Sequence, residues 1–91
     1  SFISLRKALP AALALATPGA WLVALVKPQF EVGRDGIGKG GIVRDDALRL
    51  RALGDICAWL RDEIGWHVDG TMPSPVAGGD GNQEYLVGAR K

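Results

Sequence analysis

Cysteine, histidine and methionine each occur only once in this chain of 91 residues. The single cysteine, Cys57, excludes an internal disulfide and gives no support to a cysteine-based metal site. This usage agrees with a reducing compartment, so we expect a cytoplasmic protein. His67 lacks an accompanying cluster of cysteines or carboxylates, which favours a packing or surface role over metal binding or base catalysis. We therefore predict no metal site.

Excess charge is also lacking, since the formal net charge is only +1. No overall basic field indicates nucleic acid, and any RNA contact has to come from a local patch. Hydrophobic residues make up 47% of the chain, which is enough for a packed core and disfavours disorder. The chain begins at Ser1 instead of a methionine, so we expect it to be a piece of a longer protein.

One uncharged run, from Ala8 to Val26, has the 19 residues that a membrane-spanning helix needs, and the N-terminal stretch also mimics a signal peptide. Pro10, Pro18 and Gly19 interrupt this run, and the last two belong to a turn signal. The breakers favour a short helix followed by a strand, so we predict no membrane segment.

The pattern of apolar residues and breakers predicts helices that alternate with strands, which indicates an α/β sheet. The predicted elements, in chain order, are a strand end at Ser1–Leu5, a helix at Arg6–Ala16, a strand at Trp21–Val26, a long loop at Glu31–Gly41, a helix at Arg44–Gly65, a strand from Trp66 that passes into a loop by Val76, a turn at Ala77–Asn82 and a strand at Gln83–Arg90. No helix separates the last two strands, so that pair should be antiparallel.

The run Trp21–Val26 is continuously apolar, which predicts a strand buried on both faces. The three tryptophans, Trp21, Trp59 and Trp66, are expected in the core or at its rim. On the last strand, alternation places Tyr85 and Val87 on one face and Leu86 on the other. The helix from Arg44 should begin at an aspartate cap and end at Gly65.

Lys27 follows the apolar strand directly, and Pro28 ends the strand because it has no N–H to donate. In an open α/β sheet, ligands bind beyond the carboxyl ends of the strands. Two interpretations are open: a solvated lysine at a strand end, or a partly desolvated lysine that accepts a proton or holds a phosphate or ribose oxygen.

The glycine-rich turn before the last strand could bind an anion through its backbone N–H groups. Glu84 follows this turn and is either an exposed glutamate or, if the sheet order allows, the ion-pair partner of Lys27. The loop Glu31–Gly41 has five glycines but lacks the spacing of a dinucleotide fingerprint or a P-loop, so a mobile lid beside the substrate is the favoured role.

Four blocks, SFISL, LVKPQFEVG, KGGIVRD and SPVAGGDGNQEYL, together resemble the C-terminal half of the TlyA or hemolysin A-like ribosomal RNA methyltransferases, which are relatives of the FtsJ-type 2′-O-ribose methyltransferases. The resemblance implies the C-terminal half of a Rossmann-like methyltransferase sheet that ends in an antiparallel strand pair. It also implies S-adenosylmethionine as cofactor, and ribosomal RNA or a ribosomal subunit as partner.

The same resemblance implies roles for individual residues. Lys27 and Glu84 match two of the four positions of a Lys-Asp-Lys-Glu catalytic constellation. Phe30, Glu31 and Asn82 are predicted to bind substrate, although core packing is an equal alternative for Phe30, and Glu31 could instead orient the loop after Lys27. Residues that bind the cofactor are not assigned.

The chain also departs from the family pattern, because the aspartate and the first lysine of the constellation, the glycine-rich cofactor segment and an S4-like RNA-binding domain would all precede Ser1. We therefore expect residues 1–91 to be inactive alone and to expose a sheet edge at Ser1–Leu5 that could pair with another copy. The alternatives are a membrane-active hemolysin and a non-catalytic RNA-binding module.

Overall fold

The structure, a computed structural model, describes residues 3–33, 36–76 and 81–91. In this part of the chain, the helices are α1 at Leu5–Ala8, α2 at Pro10–Leu15 and α3 at Asp46–Trp59, and the strands are β1 at Trp21–Val26, β2 at His67–Pro73 and β3 at Tyr85–Arg90. The 3-10 turns are Pro28–Phe30 and Lys39–Gly41, and a π-helical turn, Leu60–Ile64, continues α3.

The N-terminal segment differs from the prediction in two ways. The expected helix is divided into α1 and α2, because Pro10 has no N–H for the helical ladder and begins a new helix at its N1 position. The expected strand end is wrong for residues 3–5, since the Ser4 hydroxyl caps α1 by accepting from the Arg6 N–H at 3.2 Å. Ser1 and Phe2 lie outside the described residues. A sheet edge at residues 3–5 is therefore wrong as well.

The three strands form one sheet in the order β1-β3-β2, and β3 is antiparallel to both neighbours. The antiparallel closing pair is confirmed, with a register irregularity between Val68 and Gly70. Because β1 and β2 run in the same direction, their carboxyl ends lie at one edge of the sheet, and β3 begins there. We call this edge the carboxyl edge, and we define it by Lys27, Ser74 and Glu84.

Helix α3 forms where the sequence predicts it. The Asp45 carboxylate caps its first turn by accepting from the Ala47 N–H at 2.9 Å, and Gly65 ends the π-helical extension with a φ of 82°. The positive φ favours glycine, which has no Cβ to clash. Ile56 of this helix and Leu60 of its π-helical extension, both fully buried, pack against the sheet.

The two faces of β1 differ, which corrects the prediction of burial on both faces. Ala24 and Val26 point into the core, whereas Trp21 is 75% exposed and Val23 is 58% exposed. The described helices pack on one face of the sheet only, so alternate residues of β1 face solvent however apolar they are. The core role of Trp21 is therefore wrong.

The buried core lies between α3 and the inner face of the sheet. Trp59 and Trp66 are buried in it, as predicted, and so are Tyr85 and Val87 of β3, while Leu86 faces the other side. No helix in the described ranges is long and apolar enough to span a bilayer, and the run from Ala8 to Val26 is divided between helix and strand.

Candidate site at the carboxyl edge

Lys27 lies where the chain leaves β1. It is half-buried, its backbone is still extended with φ −109° and ψ 98°, and its carbonyl accepts from the Phe30 N–H at 2.9 Å. Pro28 is fully buried and begins the 3-10 turn that follows. The strand thus delivers a lysine to the carboxyl edge and the proline turns the chain away, as the sequence predicts.

Glu84 lies beside Lys27 in the sheet register. The last pair of the β1–β3 ladder is Val26 with Tyr85, so Lys27 and Glu84 are one step beyond it on adjacent strands. Glu84 is only 4% exposed, which contradicts the interpretation of an exposed glutamate. The predicted ion pair is also wrong for this structure, because Lys27 takes part in none of the ion pairs between described residues.

Gln29 holds the Glu84 carboxylate instead. Its Nε2 donates to Glu84 Oε2 at 2.9 Å, across 55 positions of sequence. Gln29 lies in the 3-10 turn Pro28–Phe30, which follows β1 and from which its amide reaches the start of β3. Sequence reasoning missed Gln29, and the available signal was a long amide side chain two residues after Lys27, at a point where a buried glutamate needs a donor.

Glu31 connects the same turn to the start of α1. The Ser4 hydroxyl donates to Glu31 Oε1 at 2.6 Å, and the Leu5 N–H donates to Oε2 at 2.9 Å. A carboxylate at a helix N-terminus satisfies N–H groups that have no partner within the helix. The contacts agree with an orienting role for Glu31, and its binding of substrate stays a prediction.

A groove of about 330 Å³ runs along β1 and gathers three of the predicted site residues. Lys27, Phe30 and Glu31 lie at one end of it, and its walls are apolar side chains of β1 and of the N-terminal helices. Whether Phe30 contacts a nucleotide stays a prediction.

Asn82 is placed beside a different loop. It is 3% exposed, its Oδ1 accepts from the Val43 N–H at 2.9 Å, and its Nδ2 donates to the Gly41 carbonyl at 3.0 Å. Both amide atoms therefore tie the end of the glycine-rich loop to the start of β3. These two bonds explain why an amide is buried at this position even when no ligand is bound. The binding of substrate by Asn82 stays a prediction.

Parts of the two glycine-rich segments fall outside the described residues, namely Arg34 and Asp35 in the first and residues 77–80 in the second. The predicted lid therefore stays untested, and the predicted anion-binding turn lies mostly outside the described ranges. In the part of the chain that the structure describes, no group of three or more His, Cys, Asp or Glu side chains is arranged to hold a metal ion.

The opposite edge of the sheet carries an exposed charge cluster of His67, Asp69 and Arg90. Arg90 Nη2 lies 2.9 Å from Asp69 Oδ1, and His67 Nε2 lies 3.4 Å from the same atom. The hydrogen bond from Arg90 lowers the pKa of Asp69 below its usual value. The surface role predicted for His67 is confirmed, since 70% of its side chain is exposed.

The architecture and the carboxyl edge together define an α/β protein with a lysine and a buried glutamate where such folds bind ligands. The profile of the FtsJ-like methyltransferase family matches residues 1–91. The chain belongs to this family.

Named relatives agree with the match. The chain is 47% identical over 90 residues to the 16S/23S rRNA (cytidine-2′-O)-methyltransferase TlyA of Mycobacterium tuberculosis H37Rv, covering 99% of this chain and 33% of that protein. It is 41% identical over 87 residues to hemolysin A of Brachyspira hyodysenteriae, covering 96% of this chain and 36% of that protein.

A solved structure from Streptococcus thermophilus, named as a proposed hemolysin, matches all of this chain and 32% of its own with a TM-score of 0.93 and 44% identity. The chain thus spans about a third of the length of these relatives.

Proposed function

We propose that this chain is part of an S-adenosylmethionine-dependent methyltransferase that acts on a ribose 2′-hydroxyl of ribosomal RNA. The observation that carries the proposal is the strand register at the carboxyl edge, which sets Lys27 beside the buried Glu84. The relative named as an rRNA (cytidine-2′-O)-methyltransferase supports the choice of reaction and substrate. We also infer that the three strands are the last strands of a Rossmann-like sheet.

Lys27 is the residue that we expect to contact the reacting hydroxyl. A ribose hydroxyl is a weak nucleophile, and a positioned side chain that takes or orients its proton typically accelerates such a step by about 10²–10⁴-fold. Lys27 is half-buried, has no ion-pair partner in the described part of the chain and lines the groove along β1. Its ammonium or amine group is therefore available to a substrate oxygen.

Glu84 is expected to fix the surroundings of Lys27 without binding it permanently. Its carboxylate is buried and is held by a neutral amide, so its negative charge stays close to Lys27 without an ion pair. A nearby carboxylate of this kind favours one orientation of the lysine and stabilises positive charge that develops on it.

The described residues do not by themselves fit S-adenosylmethionine. Of the two charged side chains in the groove, Glu31 is already held by Ser4 and the Leu5 N–H, and Lys27 is assigned to the substrate hydroxyl. We therefore assign no residue of this chain to the cofactor and propose that residues 1–91 are inactive alone. The cofactor pocket would belong to the two thirds of the relatives that this chain does not match.

A chimera tests the proposal, with residues 1–91 replacing the matching third of the Mycobacterium tuberculosis relative. We expect the chimera to incorporate methyl groups into ribosomal RNA and Lys27→Ala to lower the rate about a hundredfold or more. Lys7→Ala is the matched control, because Lys7 is exposed on α1 and should not affect the rate.

The outcomes separate the alternatives. A folded chimera that keeps its activity after Lys27→Ala would overturn the catalytic role of Lys27. A folded chimera without methyl transfer, but with retained RNA binding, would favour a non-catalytic RNA-binding module.

A further inference from the structure

Gln29 links the turn after Lys27 to Glu84, and neither the family match nor the sequence patterns gave it a role. It follows Lys27 by two residues, and its side chain contacts Glu84. We propose that Gln29 is a positioning residue: it fixes the carboxylate of Glu84 at the carboxyl edge and so keeps Lys27 out of a permanent ion pair. This inference rests on the proposed methyl-transfer function.

Glu84 is buried at the carboxyl edge. A carboxylate that is 4% exposed has lost most of its hydration, and it needs donors from the protein to remain there. The main chain of Glu84 is anchored separately, since its carbonyl accepts from the Ser74 N–H and from Gln83 Nε2, each at 2.8 Å. These bonds hold the backbone, and among the described residues the side-chain hydrogen bond to the carboxylate comes from the amide of Gln29.

Lys27 and Gln29 are both candidate partners of the Glu84 carboxylate. Lys27 and Glu84 lie on adjacent strands one step beyond the last ladder pair, which is a spacing that allows a lysine to reach a carboxylate. The structure instead pairs Glu84 with Gln29. A neutral donor satisfies the carboxylate without engaging the lysine, so Lys27 remains available for a substrate hydroxyl.

The carbonyl oxygen of the Gln29 amide also indicates how the side chain is oriented. A carboxylate only accepts hydrogen bonds when ionised, so the amide nitrogen must face Glu84 and the carbonyl must face away. That carbonyl oxygen, Gln29 Oε1, is buried and has no hydrogen-bond partner among the described residues. The orientation of the amide is therefore set by the Glu84 carboxylate, at the cost of a buried oxygen that lacks a partner among the described residues.

The test is a double-mutant cycle in the chimera with Gln29→Met and Glu84→Asp. The methionine keeps the length of the side chain but cannot donate, and the shorter aspartate draws its carboxylate away from Gln29. We expect Gln29→Met to lower kcat about tenfold with little change in KM for RNA, because a misplaced catalytic group affects the chemical step. When Gln29→Met is introduced into the Glu84→Asp variant, it should lower kcat by less than about twofold. The effects of two residues that act through one contact are not additive.

Lys7→Met is the control. Lys7 is exposed on α1 and lies outside the carboxyl edge, so its substitution should leave kcat within about twofold of the unmodified chimera. The proposal is overturned if Gln29→Met leaves kcat unchanged, or if the effects of Gln29→Met and Glu84→Asp multiply. If Lys27→Ala fails to lower activity, the proposed function itself is wrong, which is a different result.

A stability cycle on the 91-residue chain covers the case in which Glu84→Asp is inactive. Gln29→Met should lower the midpoint of urea unfolding, because it leaves a buried carboxylate without its donor. The pair Gln29→Met with Glu84→Met removes both polar partners and should recover part of that loss. A double variant that loses the sum of the two single effects would contradict the contact on which the proposal depends.

Discussion

The carboxyl edge and the opposite edge of the sheet, here called the far end, differ in how their charged side chains are paired. At the far end, Arg90 and Asp69 form an exposed ion pair with His67 beside it. At the carboxyl edge, Glu84 is buried and held by a neutral amide, and Lys27 has no ion-pair partner within the described residues. Exposed ion pairs contribute little to stability, and any such pair can be satisfied by solvent.

This difference between the two ends indicates that function is to be expected at the carboxyl edge. Charges at the far end neutralise each other, so they leave no group in need of a ligand. At the carboxyl edge the chain buries an acidic group, supplies it with an uncharged donor, and leaves a lysine beside it available. Such an arrangement costs stability and is typical of a catalytic site. The predictions below test whether the two ends respond as differently as their contacts imply.

The largest effect on stability is expected at Asn82, which connects the start of β3 to the loop that ends at Val43. Asn82→Ala removes the acceptor of the Val43 N–H and the donor to the Gly41 carbonyl. Val43 is only 1% exposed, so its N–H stays buried without a partner. We expect a loss of about 3 kcal/mol in the free energy of unfolding, measured with urea.

Asn82→Asp provides a second comparison for that experiment. It keeps an acceptor for the Val43 N–H but buries a carboxylate against the Gly41 carbonyl, so its loss should be at least as large as that of Asn82→Ala. Equal stability of Asn82→Ala and the unmodified chain would show that the loop does not depend on this tie.

A smaller effect is expected at Glu31, whose two acceptor atoms hold the start of α1. Glu31→Ala removes charge-assisted hydrogen bonds from Ser4 and from the Leu5 N–H in a part-buried position. We expect a loss of about 1.5 kcal/mol in the free energy of unfolding, at the low end for such bonds because solvent can replace part of them. Glu63→Ala, at an exposed position after α3, is the control that should change little.

The smallest effect is expected at the far end, and it depends on pH. The hydrogen bond from Arg90 lowers the pKa of Asp69 in the folded chain, so its contribution is present above the unfolded pKa and is lost as the pH falls through the folded pKa. Asp69→Asn should therefore lower the urea midpoint slightly at pH 7, and the difference from the unmodified chain should shrink as the pH falls through the lowered pKa of Asp69. A difference that grows on acidification would have the wrong sign.

The sequence predicted correctly those features that are determined by a few neighbouring residues. The aspartate cap of α3, the glycine that ends its extension and the antiparallel closing pair each follow from a short-range requirement. Lys27 could be placed at the carboxyl edge because it follows a continuous apolar run and precedes a proline. Such a proline ends a strand, so the position of Lys27 at the strand end is fixed by the local sequence.

Other features depended on which element covers which surface, and no local pattern contains that information. A continuous apolar strand reads the same whether one or both faces are buried, which is why Trp21 was misplaced. The partner of Glu84 was misassigned because a lysine and an amide can both reach a carboxylate, and the turn at Pro28–Phe30 decides between them. The role of Gln29 emerges only once the turn and β3 are in place.

The methylated product itself distinguishes ribose methylation at the carboxyl edge from other reactions. Ribosomal RNA treated with the chimera and S-adenosylmethionine should be digested to nucleosides and analysed by mass spectrometry. We expect a 2′-O-methyl nucleoside that forms with the chimera and the Lys7→Ala control but not with Lys27→Ala. A base-methylated nucleoside, or a 2′-O-methyl nucleoside formed equally well after Lys27→Ala, would overturn the proposed function.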